Sequence, residues 1–440
     1  MALTVMLILL FVFMLAGVPI GFAIGGSTIA AIYFFTAIPP VTIGLQTFAG
    51  INSFTIVAIP FFMLAGVIMA RGGIARRIVN FANSLIDFVT GAVGCVAILA
   101  SIFFGTVSGS GMATASAIGG MMIPELKRAG YNPAYAATLV CFGGIVGPVL
   151  PPSLAFVIYG SVTNVSIARL FLAGILPGLL LGLIVLCVNI WMCKRMGTDL
   201  RKYHQGEMAD EVVQVPMLIS MKNRAKRVAV AFKDGIWALL APLIILGGIY
   251  SGIFTPTEAA CVSVVYAFLV SVFIYKEMGR KDIYETILDA AVLNGITSFL
   301  LAYSTVFSTF MAFERVPQRI SIFLDNLTDN PIIIMLTVNL IILIIGLVLD
   351  LVPAIIIMAP LMLPTVVGIG VDPIHFGVIM AANLAIGLCT PPYGCNLFVG
   401  AAVAKIKMET MLPFTIPFLI ATIAGLMIIT FVPWLSMVFV

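Results

Sequence analysis

Gly147-Pro148-Val149-Leu150-Pro151-Pro152-Ser153 and Gly387-Leu388-Cys389-Thr390-Pro391-Pro392-Tyr393-Gly394 decide the reading of this chain. Each places two consecutive prolines inside a long apolar run, and the second lies 240 residues after the first. Proline has no backbone N–H, and its ring clashes with the carbonyl four residues back. A doubled proline therefore breaks a helix and leaves several carbonyls without helical partners. In an apolar setting those carbonyls need another partner.

The surroundings are apolar throughout. The 440 residues are 62% hydrophobic and 9% charged, with a mean hydropathy of +1.21. Soluble domains have roughly 45–50% apolar and about 25% charged residues. Lipid must therefore be the solvent for most of this surface, which leaves helices or a closed barrel. Unbroken apolar runs such as Ile236 to Ile249 and Ile332 to Leu349 exclude the alternation of a barrel strand. The segment 3–36 reads as apolar throughout, and Met1 to Ala16 as a retained first helix, because it has no basic region of a cleaved signal. Segments at 132–147, 151–163, 372–388 and 391–404 are too short to span alone, since a span takes about 20 residues.

Net charge is +4, and most of the positive charge lies between Lys194 and Lys233. By the positive-inside rule, 194–234 is a cytoplasmic connector, in part an amphipathic helix at the interface. This explains the basicity without nucleic acid. It divides the chain into a first half, 1–193, and a second, 235–440. The seven cysteines show no metal or redox spacing and read as packing residues. No phosphate loop, zinc spacing or nucleophile elbow is present, so nothing points to an enzyme, a zinc-type metal site or a cofactor.

The halves are related. At the offset of 240, Pro124 falls on Pro364, Gly130 on Gly370, Pro133 on Pro373, Gly147 on Gly387, Pro151-Pro152 on Pro391-Pro392, Gly160 on Gly400 and Pro177 on Pro417. The turn before Pro133 carries Lys127 and Arg128, whereas the turn before Pro373 has no basic residue. That asymmetry favours an inverted repeat, as in many secondary transporters.

Each break has a second irregularity before it, read as a re-entrant hairpin: one spans about 101–127 with Phe103 to Thr114 at its turn, the other about 346–370 with Gly346 to Ala354. The broken helices then occupy about 132–163 and 372–404. Non-helical backbone at membrane depth survives only inside protein or beside a cavity. Helix N-termini there offer N–H groups to an anion, and free carbonyls can hold a cation. Ser108, Ser110, Ser153 and Thr390 add hydroxyl oxygens. Asp350 is a carboxylate at bilayer depth, where insertion costs roughly 2.5–3.5 kcal/mol. Capping a helix and neutralising a cation are equally weighted roles for it. Asp87, Glu258 and Asp289 read as interfacial, and His204 and His375 as loop or turn residues.

These residues carry a resemblance. Gly17-Val18-Pro19-Ile20-Gly21-Phe22-Ala23, Ile59 to Gly66, Ser108-Gly109-Ser110 with Ala113-Thr114, Pro151-Pro152-Ser153, Ser251 to Ala259 and Thr390-Pro391-Pro392-Tyr393-Gly394 resemble the large membrane subunit of tripartite ATP-independent periplasmic (TRAP) transporters over nearly the whole chain. The resemblance implies a multi-pass protein of the bacterial inner membrane with an elevator fold. It also implies a small four-helix membrane subunit, a periplasmic solute-binding protein, an organic-acid substrate and Na⁺ as coupling ion. The implied acids are C4-dicarboxylates, sialic acids, sugar acids and keto acids. One implied ion site maps onto Gly346, Gly387, Thr390 and Tyr393, with Asp350 beside it. The repeat offset projects a second onto Thr106, Gly147, Leu150 and Ser153, beside Ser108. The candidate solute contacts are Ser108, Gly109, Ser110, Pro353 and Asn396. Two departures stand out: Val352 where the family often has Thr, and Met112 where it often has Pro. A stand-alone proton- or sodium-coupled carrier of the same general fold, and a membrane scaffold or channel, are the competing readings.

Overall fold

The computed structural model describes residues 1–86, 92–196, 217–328, 330–392 and 394–440. Among them the chain is helical and has no strand. The first half runs α1 (Ala2–Leu15), α2 (Ile20–Phe35), α3 (Val41–Ala49), α4 (Ala58–Arg71), α5 (Ile74–Ile86), α6 (Ala92–Ser108), α7 (Gly111–Arg128), α8 (Pro133–Gly144), α9 (Leu154–Thr163) and α10 (Ile167–Arg195). The second runs α11 (Met217–Tyr250), α12 (Pro256–Leu269), α13 (Arg280–Phe313), α14 (Val316–Leu327), α15 (Pro331–Val348), α16 (Leu351–Gly368), α17 (Pro373–Gly387), α18 (Cys395–Ala404), α19 (Leu412–Phe431) and α20 (Trp434–Met437). Among the described residues six helices are long and apolar enough to cross a membrane, or seven if α4 and α5 form one bent span.

Two expectations about boundaries change. The segment 3–36 is two helices, because Gly17 at φ +77° and Pro19 end one and start the next. Of the connector 194–234, residues 197–216 and His204 lie outside the described residues, as does Asp87. From Met217 the connector is helical and is the start of α11, continuous into the apolar stretch.

Local geometry recurs between the halves. Asn132 and Asp372 cap α8 and α17, accepting from the N–H two residues on at 2.8 and 2.7 Å, with proline at the first helical position. Proline suits that position, since its missing N–H would be unpaired there anyway. Gly130 and Gly370, at φ +83° and +88°, end α7 and α16. Each lets its own N–H and that of the next residue fold back onto the last turn, the latter from Tyr131 onto Leu126 and from Val371 onto Val366. Both Pro-Pro bonds are cis.

The broken helices lie at the centre. Every residue of α17 after Pro373 is buried, as is every residue of α8 after its proline. Helices apolar on all sides belong in such a core. The post-break helices cross over: α18 packs on α7 and α8, and α9 packs on α16 and α17. Large apolar side chains on α1, α2, α11, α13 and α19 face outward toward lipid, among them Phe11, Phe34, Leu243, Ile296 and Ile420.

Buried amides brace each core helix. Asn383 of α17 donates to the Asn339 carbonyl and Oδ1 of α15, at 2.9 and 2.8 Å. Asn339 donates to Thr430 of α19 at 3.1 Å, and the His375 ring meets the Thr430 carbonyl at 3.2 Å. His375 is thus a buried residue of the first turn of α17. The residue 240 positions earlier, Tyr135, donates to Asn189 of α10 at 2.8 Å, and Asn189 in turn donates to Cys95 of α6. Asn383→Ala leaves the buried Asn339 carbonyl and amide short of a partner, at a cost of about 1–2 kcal/mol. The expected result is a lower melting temperature of the detergent-purified protein; an unchanged one would show that the brace carries no load.

Candidate functional site

In the first half, α6 and α7 form a hairpin whose tip is Gly109 and Ser110. Gly109 has φ +62°, which glycine adopts freely, and a Cβ on it would lie 2.8 Å from the Leu154 nitrogen, the first residue of α9. Hydroxyls tie the tip together. Ser108 Oγ lies 3.1 Å from Thr114 Oγ1, Thr114 donates to the Ser110 carbonyl at 2.7 Å, and Ser110 Oγ caps α7 by accepting from Ala113 N at 3.3 Å. Thr106 donates back to the Phe103 carbonyl at 2.7 Å. Across the break, Ser153 Oγ donates to the Pro148 carbonyl and caps α9, accepting from Phe156 N at 3.5 Å. Leu150 turns its N–H onto the Val146 carbonyl and its side chain onto Gly178 of α10.

The second half repeats the plan with one charge added. The tip between α15 and α16 is Leu349 and Asp350, and Asp350 Oδ1 caps α16 by accepting from Leu351 N at 2.7 Å. Asp350 occupies the position of Ser110. Pro353 is buried in the first turn of α16. Thr390 donates to the Ile386 carbonyl at 2.9 Å, its own carbonyl accepts from Gly394 N, and the Leu388 carbonyl accepts from Asn396 N. Tyr393 lies outside the described residues.

A glycine pair joins hairpin to break in each half. A Cβ on Gly147 would lie 2.8 Å from Gly105 Cα and 3.0 Å from its oxygen. A Cβ on Gly387 would lie 2.8 Å from Gly346 Cα and 3.0 Å from its oxygen. Backbone thus rests directly on backbone. The partner of Gly147 is Gly105, one residue before the Thr106 that a uniform offset selects. The reason is that hairpin one runs one residue longer between this glycine and its cap, Gly105 to Ser110 against Gly346 to Asp350.

The result is two clusters of four helix ends. The C-termini of α6 and α8 meet the N-termini of α7 and α9; those of α15 and α17 meet the N-termini of α16 and α18. A helix carries about +0.5 charge at its N-terminus and −0.5 at its C-terminus. Each cluster therefore pairs cation-accepting carbonyls with anion-accepting N–H groups. Neither tip nor break contains a lysine or arginine. Ser108, Thr106, Ser153 and Thr390 already spend their protons locally, so what they offer is oxygen lone pairs.

Asn396 connects the clusters. It is fully buried on α18, and a Cβ on Gly111 of α7 would lie 2.9 Å from its Nδ2. Its carbonyl accepts from Cys141 Sγ at 3.0 Å, its Nδ2 faces Cys389 Sγ at 3.7 Å, and its Oδ1 has no protein partner. Gly105, Gly144, Thr114, Cys141 and Cys389 belong to this centre without having been named as candidate site residues. Gly105 could have been found by allowing one inserted residue in the repeat.

Known proteins place this architecture. The family described as "Tripartite ATP-independent periplasmic transporter, DctM component" matches residues 7–435. The chain is 38% identical over 97% of its length to the isethionate TRAP transporter permease protein DctMQ of Oleidesulfovibrio alaskensis, and spans 64% of that longer relative. It is 36% identical to the C4-dicarboxylate TRAP transporter large permease protein DctM of Pseudomonas aeruginosa, covering 90% of this chain and 88% of the other. It is 34% identical to the 2,3-diketo-L-gulonate TRAP transporter large permease protein YiaN of Escherichia coli, covering 96% and 95%. In fold it is similar to the Alcanivorax borkumensis YdaH transporter, with a TM-score of 0.57 at 15% identity over 91% and 89% of the two chains. A family match over almost the whole length, on a multi-pass helical body with twinned hairpins and breaks, leaves one conclusion: the chain belongs to the DctM family, the large permease component of TRAP transporters.

Proposed function

We propose that this chain imports an organic acid across the bacterial inner membrane by sodium symport. In this reading a periplasmic solute-binding protein delivers the acid, and a small membrane subunit completes the complex. The observation that carries it is the pair of glycine contacts, which collect four helix ends twice. Na⁺ would be held by the carbonyl ends beside Gly346, Gly387 and Thr390, with Asp350 offsetting its charge, and by those beside Gly105, Gly147 and Leu150. The acid would lie against the N–H ends at Ser108, Gly109 and Ser110, with Pro353 and the unpaired Asn396 Oδ1 across from them. The relatives named for isethionate, C4-dicarboxylate and 2,3-diketo-L-gulonate transport support an organic acid. The absence of Lys and Arg from the tips gives bound Na⁺ the task of balancing the anion.

Alternating access would follow from inversion. With the basic connector in the cytoplasm, the turn at Lys127-Arg128 faces in and the turn at Gly370 faces out. The central body of hairpins and broken helices would then slide as an elevator against α1 to α4 and α11 to α13. The crossed packing of α9 and α18 supports its moving as one unit.

Liposomes holding this chain with its small partner, supplied with binding protein and radiolabelled organic acids, are expected to accumulate solute under an inward sodium gradient. Uptake driven by protons alone, with sodium inert, would overturn the coupling. Gly387→Ala puts a methyl group against the Gly346 backbone and should abolish the thermal stabilisation by Na⁺ along with uptake. Full stabilisation by Na⁺ in that variant would show that the contact does not shape the site. Asp350→Asn keeps the cap oxygen but removes the charge. The half-saturating sodium concentration should rise about tenfold, equivalent to about 1.4 kcal/mol; no change would leave Asp350 a cap only.

A further inference from the structure

α4 and α5 meet at 65° across Gly72-Gly73, and charge clamps the bend from both sides. Gly73 has φ +78°, and a Cβ on it would strike the Glu277 carboxylate and lie 2.8 Å from Arg77 Nη1. A Cβ on Gly72 would strike Ser271 and lie 2.7 Å from the Ile68 carbonyl. Glu277, in the turn between α12 and α13, receives Arg77 Nη1 at 2.6 Å and Arg76 Nη2 at 2.5 Å. Arg77 Nε lies 3.4 Å from Asp234 Oδ1 of α11, and its guanidinium stacks 3.6 Å over the Tyr275 ring. The Tyr275 hydroxyl donates to the Asp234 carbonyl at 3.2 Å and accepts from Ala238 N at 3.1 Å. On the α4 side, Arg71 pairs with Glu285 at 3.1 Å and with Asp289, both on α13.

Among the described residues, every ion pair that joins separate segments of the chain lies at this bend. It also stands over its own apolar cluster, separate from the main core, with Ile68, Ile74, Ile78, Ala241 and Met278. The Arg77 side chain is 12% exposed and that of Glu277 23%. Separating them would leave a partly buried charge unpaired, which is strongly unfavourable. α5 runs on from this clamp toward α6, the first arm of hairpin one. α14 stands in the same place before hairpin two, after a bend at Arg315 with φ +54°.

We propose that Arg77 and Glu277 anchor the first turn of α5 to the outer helices, so that hairpin one moves about a fixed point. The anchor rests on the moving-body reading above. Gly73 is part of the device, because only a residue without a side chain lets Glu277 close on the bend.

Spin-label pairs test it in the full chain with Cys187 and Cys261 replaced by alanine. One pair, Asn80→Cys with Lys233→Cys, spans the anchor; the other, Asn164→Cys with Lys281→Cys, spans the central body and the outer helices. Distances are measured in potassium and in sodium with solute. The Asn164–Lys281 distribution should shift between conditions while the Asn80–Lys233 distribution stays narrow and fixed. Glu277→Gln should broaden the Asn80–Lys233 distribution, and the swap Arg77→Glu with Glu277→Arg should narrow it again. An Asn80–Lys233 distance that shifts with the other, or that ignores Glu277→Gln, overturns the anchor. A fixed Asn164–Lys281 distance removes the moving body itself and is told apart by that pair alone.

Discussion

Two pairs of backbones touch at the centre of this protein with no side chain between them. Gly105 rests on Gly147 and Gly346 on Gly387, and a Cβ added to Gly147 or Gly387 would sit 2.8 Å from the partner's Cα. That contact lets the end of a hairpin arm approach the end of a broken helix. Without it the helix ends would stand apart, and the carbonyls freed by the double prolines would face packed apolar side chains. An unpaired polar group in such a setting costs several kcal/mol. The glycines and the prolines are therefore one device: the prolines expose oxygen, and the glycines bring two sets of exposed oxygen to one place.

The rest of the fold serves that centre. α8 and α17 are buried on all sides, and amide and hydroxyl braces fix them to their neighbours at Asn189, Asn339 and Thr430. The crossed positions of α9 and α18 hold each break against the other half. Lys127 donates to the Ala404 carbonyl at 2.8 Å, and Tyr159 to the Pro373 carbonyl at 2.7 Å, so the halves are also tied at their edges. Around this body the remaining helices turn apolar faces outward. Among the described residues, the ion pairs that join separate segments lie at the bend at Gly72-Gly73, where the outer helices meet the segment leading to hairpin one.

Much of this was legible because proline and glycine act locally. Proline forbids a helix where it stands, and a repeated spacing of such residues shows the same backbone built twice; Pro124, Gly130 and Pro133 are read this way without a structure. Asp350 announced itself by charge in an apolar run. What escaped depends on contacts between distant residues. The one-residue difference between the hairpins displaced the projected partner of Gly147 from Gly105 to Thr106. Cys141, Cys389 and Asn396 meet only because the post-break helices cross between halves. Arg77 and Glu277 are separated by 200 positions, and each alone looks like an interfacial charge.

The central claim is that the paired helix ends form sodium sites. Hydrogen exchange of the backbone amides in the two breaks, around 145–153 and 388–397, tests it directly. Sodium should slow exchange in both stretches relative to potassium at equal ionic strength, because an ion held by the carbonyls fixes the turns that carry the neighbouring N–H groups. Equal exchange in the two salts, in a protein shown to be folded, would contradict the account.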